Sequence, residues 1–142
     1  ELSNGQVLLD ATTASGQGII LQTTDRFTIA LTMNDGRIKA SWDCDPGTHE
    51  GTLRSGVWQH VVFIVDGGPK IISVVVDGIL NDGGAVRDYG WGRFPADLGD
   101  VNGSRDVRIA PKIFGEIKKL RVYNRYLRTS EAVGNYRAGL QA

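Results

Sequence analysis

The chain has 142 residues and no net charge, since 16 Lys and Arg balance 16 Asp and Glu. Nineteen glycines and only short apolar runs indicate many strands joined by tight turns, in a length that suits one domain. The longest apolar run, Val61 to Val65, is far too short to cross a bilayer, so membrane insertion is not expected. The neutral charge also argues against nucleic acid as a partner.

The first half of the chain predicts a series of antiparallel strands. Short strands are expected at Val7 to Asp10 and at Gly18 to Gln22. The next run alternates, with its apolar phase on one face: Phe27, Ile29, Leu31 and Met33.

Asn34-Asp35-Gly36 predicts a hairpin turn, because these residue types tolerate a positive φ. The return strand, Arg37 to Trp42, is expected to place Ile38, Ala40 and Trp42 inward.

The second half predicts two central strands followed by a long excursion. After a polar loop, the runs Trp58 to Asp66 and Lys70 to Asp77 are apolar on both faces, as in a layered sandwich. Asn81 to Asp106 is rich in Gly and Asp, and a loop of this length is uncommon unless it has a function. Cys44 is alone, which indicates a small buried hydrophobe and suits an exported bacterial protein.

The C-terminal part predicts one more strand and a helix. A closing strand from Ile113 to Leu127 needs a β-bulge near Lys118 to keep its apolar residues in phase. Thr129 or Ser130 can cap the helix, with Glu131 in the first turn. The apolar face of this helix is expected to contain Val133, Tyr136 and Leu140.

Three motifs occur in order over the last 85 or so residues: Trp58-Gln59-His60-Val61, Val76-Asp77-Gly78, and Ile113-Phe114-Gly115-Glu116-Ile117 with Val122-Tyr123-Asn124-Arg125-Tyr126-Leu127. They resemble the concanavalin A-like, laminin G-like jelly-roll domains of bacterial polysaccharide-degrading proteins. The resemblance implies an all-β fold, a two-sheet antiparallel β-sandwich (jelly roll) with a short C-terminal helix. It also implies that residues 1–142 are a single domain with Trp58 in its core. Such domains usually begin before the equivalent of Val7, so we expect an N-terminal strand to be missing or supplied from elsewhere.

Catalysis is not expected from this chain. Glycosidases on this fold alternate glutamate and aspartate on one strand, whereas the four glutamates here are Glu1, Glu50, Glu116 and Glu131. None lies within ten residues of another, so a retaining pair with carboxyls roughly 5 Å apart is not indicated.

Glycan binding is the favoured hypothesis. Sugar sites pair an exposed aromatic ring with polar side chains, and Tyr89, Trp91 and Arg93 supply this mixture on a Gly-rich loop. Arg87, Asp88 and Asp97 flank the loop. The alternative is that Trp91 folds back as a lid over the edge of the sandwich.

Other candidates for the sugar site carry less weight. Asp45 and His49 lie in a polar loop that could line the site or be a solvated hairpin end. Trp42 is a candidate whose alternation favours the core.

A cation loop could be formed by Asp100, Asn102 and Asp106. Its opening resembles a calcium loop, but the twelfth position is Pro111 where a bidentate glutamate is needed. An ordinary turn is favoured, and a low-affinity structural Ca²⁺ site is left open; no cofactor is expected to be required.

The sequence therefore favours a non-catalytic carbohydrate-binding module or accessory domain of a larger secreted or cell-surface bacterial protein. The expected partners are a polysaccharide or oligosaccharide and catalytic or other domains of the parent chain. The alternative is a structural or protein-interaction laminin G-like domain that binds no sugar.

Overall fold

The structure is a computed structural model that describes residues 4–83 and 89–140, apart from the side chain of Leu140. Arg87 and Asp88 of the predicted aromatic loop lie outside the described residues. The chain divides into two compact units. One contains the chain up to Asp43 and Phe94–Leu120, and the other contains Cys44–Arg93 and the chain from Arg121 onward.

The described residues form two antiparallel sheets and one helix. The elements are β1 (Val7–Asp10), β2 (Gly18–Thr23), β3 (Ile29–Asn34), β4 (Lys39–Asp43), β5 (Val61–Asp66), β6 (Ile71–Val76), β7 (Ile79–Leu80), β8 (Gly92–Arg93), β9 (Arg108–Lys112) and α1 (Thr129–Leu140). In the first unit the strands of the sheet lie in the order β4-β3-β2-β1-β9. In the second unit the order is β5-β6-β7, and β8 also pairs with β6.

The five-stranded sheet has one apolar face and one polar face, because successive side chains in a strand alternate. Leu31 and Met33 lie on the apolar face with 6% and 2% of their surface exposed. Thr32 pairs with Ser41 and Asn34 with Lys39, which places these four side chains together on the opposite face. Because β3 has a neighbour on each side, most of its residues are buried on both faces.

The predicted hairpin between β3 and β4 is confirmed. Gly36 has a φ of 87°, and the backbone N–H of Asp35 donates to the carbonyl of Ile38 over 3.1 Å. Bonds from the backbone N–H groups of Ile38, Gly99 and Arg37 to the Asp35 carboxylate lower its pKa to about 2. The bond from Gly99 also fastens the loop before β9 to this turn.

The second unit is built on β6. All three of its last residues, Val74 to Val76, are fully buried, and their strand pairs with β5 over six positions. Asp77 and Gly78 have φ values of 51° and 76°, as a two-residue turn between twisted strands requires. A core cluster contains Ile64, Val75, Leu127 and Ala132, so the helix and the strands share one apolar centre.

The prediction of a closing strand from Ile113 to Leu127 is wrong. Between Lys112 and Thr129, a segment that the structure describes throughout, no residue belongs to a strand. The strand at this place is β9, which ends at Lys112 and pairs with β1. Phe114 and Val122 are 80% and 78% exposed, so these two apolar residues lack a sheet neighbour that would bury them, whereas Leu127, next to the helix, is buried in the core cluster.

Two aromatic residues predicted to be inside are exposed. Trp58 has 63% of its surface exposed and precedes β5, so its assignment to the core is wrong. Phe27 is 59% exposed, because it has a φ of 57° in a turn before β3 and does not share the strand's alternation.

The helix is confirmed, but its first turn differs from the prediction. Arg128 occupies the N-cap position: its carbonyl accepts from Glu131, and its own N–H donates to the Glu131 carboxylate over 2.8 Å. The bond from the Arg128 N–H to the Glu131 side chain is one of the two bonds of a capping box; the other needs a side-chain acceptor at the N-cap, which arginine does not have. The guanidinium of Arg125 donates two bonds to the same carboxylate and, as the largest cause, lowers the pKa of Glu131 to about 2.

Candidate functional site

Two aromatic side chains project from the loop before β8. Tyr89 and Trp91 are 65% and 44% exposed, and their ring centroids lie 5.4 Å apart with an angle of 28° between the planes. Gly90 separates them, and a Cβ at Gly90 would lie 2.8 Å from the Leu80 side chain. A side chain at position 90 would require the end of the Leu80 side chain to move.

A short strand fixes the base of this aromatic pair. Gly92 and Arg93 pair with Ile72 and Ile71 of β6, directly after Trp91. Gly92 is buried against its neighbours, whereas Arg93 is exposed. The two rings therefore lie in solvent directly before a strand that is paired to β6, so the backbone after Trp91 is held in place.

The loop that contains Asp45 and His49 is held by one buried side chain, Asn81, which is 3% exposed. Its amide oxygen accepts from the backbone N–H of Asp45 over 3.1 Å, and its amide nitrogen donates to the carbonyl of Gly51 over 2.7 Å. The backbone N–H of Asn81 itself donates to Val74 of β6. Asn81 thus satisfies polar groups of the loop that would otherwise be buried without partners.

In the second unit, the loop that contains Asp45 and the loop that contains Tyr89 and Trp91 both pack on β7. A Cβ at Gly51 would lie 2.8 Å from Ile79, and one at Gly90 would lie 2.8 Å from the next residue, Leu80. The structure therefore anchors the Asp45 loop and the aromatic pair on adjacent residues of one strand. His49 is exposed, and its carbonyl accepts from the Thr52 hydroxyl.

Trp42 is not part of this arrangement. It lies in β4 of the other unit, half-buried, in the same alternation phase as buried Ala40. This is the core-side position that its spacing in the sequence favoured.

In the segment of the predicted cation loop, two side-chain oxygens accept from the backbone N–H two residues further on. The carboxylate of Asp100 accepts from both the backbone and the side-chain nitrogen of Asn102, over 2.8 Å and 3.1 Å. The backbone N–H of Asp106 donates to the Ser104 hydroxyl. Among residues 4–83 and 89–140 no group of three or more His, Cys, Asp or Glu side chains could hold a metal ion.

A shallow cavity of about 190 Å³ lies on the first unit and was not predicted from the sequence. Its lining comes from the turn after β1 and from β2, β3 and β4: Thr12, Gly16, Gly18, Ile20, Gln22, Thr32, Asn34 and Lys39. The polar residues that alternate with apolar ones along these strands are the sequence feature that relates to the cavity. Such alternation alone indicates only that one face of the sheet is turned to solvent.

The carboxylates beside this cavity are paired with arginines. Asp10 lies 2.6 Å from Arg108, and Asp43 lies 3.3 Å from Arg26. A hydrogen bond from the Thr12 hydroxyl is the largest cause that lowers the pKa of Asp10, ahead of the Arg108 charge. The carboxylate of Asp10 is therefore ionised at neutral pH, and each of the two carboxylates has an arginine as its ion-pair partner.

In the second unit, the ring of His60 lies against that of the helix residue Tyr136, with centroids 5.8 Å apart. Burial is the main cause that lowers the pKa of His60, so the neutral imidazole fits this packed position.

The family follows from this architecture of two antiparallel sheets with a closing helix. The chain belongs to the Concanavalin A-like lectin/glucanases superfamily, whose family model matches residues 3–133. With this match, the predicted all-β jelly-roll fold class is confirmed.

Among solved structures the chain is similar to the CBM40, a carbohydrate-binding module, of the Ruminococcus gnavus IT-sialidase. The TM-score is 0.61 at 18% identity, over 96% of this chain and 76% of that one. A weaker likeness joins it to an S-layer domain-containing protein from Clostridium thermocellum ATCC 27405, with a TM-score of 0.37 and 13% identity over 96% of this chain and 64% of that one. No curated protein matches the chain.

Within the described residues, no helix is long and apolar enough to span a membrane.

Proposed function

We propose that this chain is a non-catalytic carbohydrate-binding domain and that Tyr89 and Trp91 form its sugar platform. The observation that carries the proposal is the pair of exposed, stacked rings on a loop fixed to β6. An exposed aromatic pair in water is otherwise unfavourable, whereas the apolar C–H face of a sugar ring can cover it. The alternative of Trp91 as a buried lid is not favoured by an exposed fraction of 44%.

Polar groups near the platform can supply hydrogen bonds to sugar hydroxyls. Arg93 is exposed two residues after Trp91, and Asp45 and His49 lie on the loop that shares the β7 support. The superfamily's name includes lectins and glucanases, and the similar CBM40 is a carbohydrate-binding module, which agrees with this function. We further propose that the chain is a domain of a larger secreted or cell-surface bacterial protein that acts on a polysaccharide.

The test is a glycan array probed with the wild-type chain, Trp91→Ala, and Trp58→Ala as a matched control. Trp58 is a tryptophan of the same unit, outside the platform, and at 63% it is more exposed than Trp91 at 44%. We expect Trp91→Ala to weaken binding of any array hit by roughly five- to thirtyfold, as loss of roughly 1–2 kcal/mol from one aromatic contact predicts. Trp58→Ala should bind as wild type.

Two outcomes decide against the proposal. Equal binding by Trp91→Ala and the wild-type chain would remove the Tyr89–Trp91 platform from the site. Absence of binding to every glycan would reject the function. We also propose a calcium site at Asp100, Asn102 and Asp106. It is tested by repeating the array with a chelator, because the chelator abolishes only glycan binding that depends on calcium.

A protein-interaction domain is the second candidate, and exposed apolar side chains at the end of the five-stranded sheet favour it. Ile109 lies in the edge strand β9 with 60% of its surface exposed, and Phe114 follows with 80%. Edge strands with exposed apolar residues can pair with other chains. Concentration-dependent association in size-exclusion chromatography, abolished by Ile109→Lys, would support this function over glycan binding.

A further inference from the structure

The polar face of the five-stranded sheet is a second candidate surface, separate from the aromatic pair. Cross-strand register puts Thr32 beside Ser41 and Ile20, and Asn34 beside Lys39 and Gly18. Three neighbouring strands therefore contribute hydroxyl, amide and ammonium groups to one patch. Nothing in the proposed function uses these side chains.

The patch is recessed and has a buried floor. The cavity of about 190 Å³ contains Thr32, which is only 5% exposed, and Thr32 shares a hydrogen bond of 3.0 Å with the Ser41 hydroxyl. Ile20 adds one apolar contact, and Gln22 adds an amide. Pockets for drug-sized ligands have volumes of roughly 300–1,000 Å³, so this one suits a single ring rather than a chain.

The walls of the cavity are held in place by short backbone contacts. The side-chain amide of Asn34 donates to the carbonyl of Gly16 over 3.0 Å. Gly18 packs so closely on the backbone of Ala11 and Gly103 that a Cβ there would overlap them. A site with fixed walls loses little conformational entropy when a ligand enters.

The charged side chains around the cavity indicate which kind of ligand it binds. Asp10, whose carboxylate accepts from the lining residue Thr12, is compensated by Arg108, and Asp43, in the same strand as Lys39, is compensated by Arg26. Lys39 is exposed at the cavity, and among the described residues no carboxylate lies within ion-pair distance of its ammonium group. The cavity therefore presents uncompensated positive charge beside neutral hydrogen-bonding groups.

We infer that this cavity is a second glycan-binding site that takes one sugar unit carrying an acidic group, a carboxylate or a sulfate. Lys39 pairs with the acidic group, while Gln22 and Thr32 contact the hydroxyls of the ring. The inference does not depend on the Tyr89–Trp91 platform.

The experiment is an NMR titration of the labelled chain with three probes: methyl glucuronide, glucose 6-sulfate and methyl glucoside. Methyl glucuronide and methyl glucoside share one ring and differ in the carboxylate. We expect the backbone amides of Gly16, Gly18 and Asn34 to shift with at least one acidic probe, which binds roughly five- to tenfold more tightly than the glucoside because of a charge-assisted hydrogen bond. The carboxylate and sulfate arms tell the two acidic groups apart.

Lys39→Met should reduce the affinity for the acidic probe to that for the glucoside, and Lys39→Arg should restore the difference. Trp91→Ala should leave these shifts unchanged, so failure of the platform and failure of this site are distinguishable. Equal affinity for all three probes, shifts confined to other residues, no shift with any probe, or an unaffected Lys39→Met variant would each overturn the inference.

Discussion

The β3–β4 hairpin and the segment from Ile113 to Arg128 both have strand-like sequences, and only the hairpin forms strands. In the hairpin a turn of Asn, Asp and Gly joins two runs that pair with each other a few residues apart. The later segment has no such local partner strand and is held by side-chain contacts at separate points. Phe114 donates its N–H to the Gln6 side chain over 2.6 Å, and Arg125 is bound to Glu131.

Apolar alternation alone therefore does not predict a strand. An alternating run becomes a strand when neighbours satisfy its backbone on at least one side and cover one of its faces. Met33 has both and is 2% exposed, whereas Val122 has neither and is 78% exposed. Exposure to solvent, not residue type, separates these two positions.

The largest expected effect is on stability within the hairpin. Met33→Ala should lower the free energy of unfolding by about 2–5 kcal/mol, because it leaves a cavity under a strand that is buried on both faces. Val122→Ala, the control in the exposed segment, should change it by less than about 0.5 kcal/mol. Urea denaturation measures both, and similar losses in the two variants would mean that the segment is packed like a strand.

Replacement of Trp58 is expected to change the free energy of unfolding less than Met33→Ala, and it tests directly whether Trp58 is exposed. Removal of a core tryptophan costs about 3–5 kcal/mol, and the sequence motif predicted that position for Trp58. Because 63% of its surface is exposed, we expect Trp58→Ala to cost less than about 1 kcal/mol in thermal or chemical unfolding. A cost of several kcal/mol would restore Trp58 to the core.

The smallest effect is at the junction of the exposed segment with the helix. The pKa of Glu131 is lowered to about 2, first by the bonds from Arg125, so the capping interaction is fully present above its ordinary pKa of 4.5. It is lost as the pH falls from 4.5 towards 2, since the unfolded chain then binds the proton more readily than the folded one. Carboxyl NMR titration should place the Glu131 midpoint near 2 in wild type.

Arg125→Gln is the matched variant for this measurement. It should raise the Glu131 midpoint towards its ordinary value, although the bond from the Arg128 backbone persists. An unchanged midpoint in Arg125→Gln would show that the ion pair does not anchor this end of the segment.

Much of the candidate platform was predictable from residues alone. Tyr89, Trp91 and Arg93 form one short run with glycines between them, so their proximity needed no tertiary information. The cavity on the sheet was not predictable in this way. Thr12, Gln22 and Lys39 come from three separate segments, and each polar side chain taken singly indicates only a solvated strand face.

Features with local physical causes can be derived from the amino-acid sequence. The turns with a positive φ at Gly36 and at Asp77-Gly78, the strand alternation beside them, and the helix from Thr129 follow from backbone sterics and neighbouring hydrogen bonds. Features that depend on a distant partner follow only from the folded chain: β9 pairs with β1, Trp58 is exposed, and buried Asn81 holds the Asp45 loop. Burial and cross-strand pairing are properties of two surfaces, and one stretch of sequence contains only one of them.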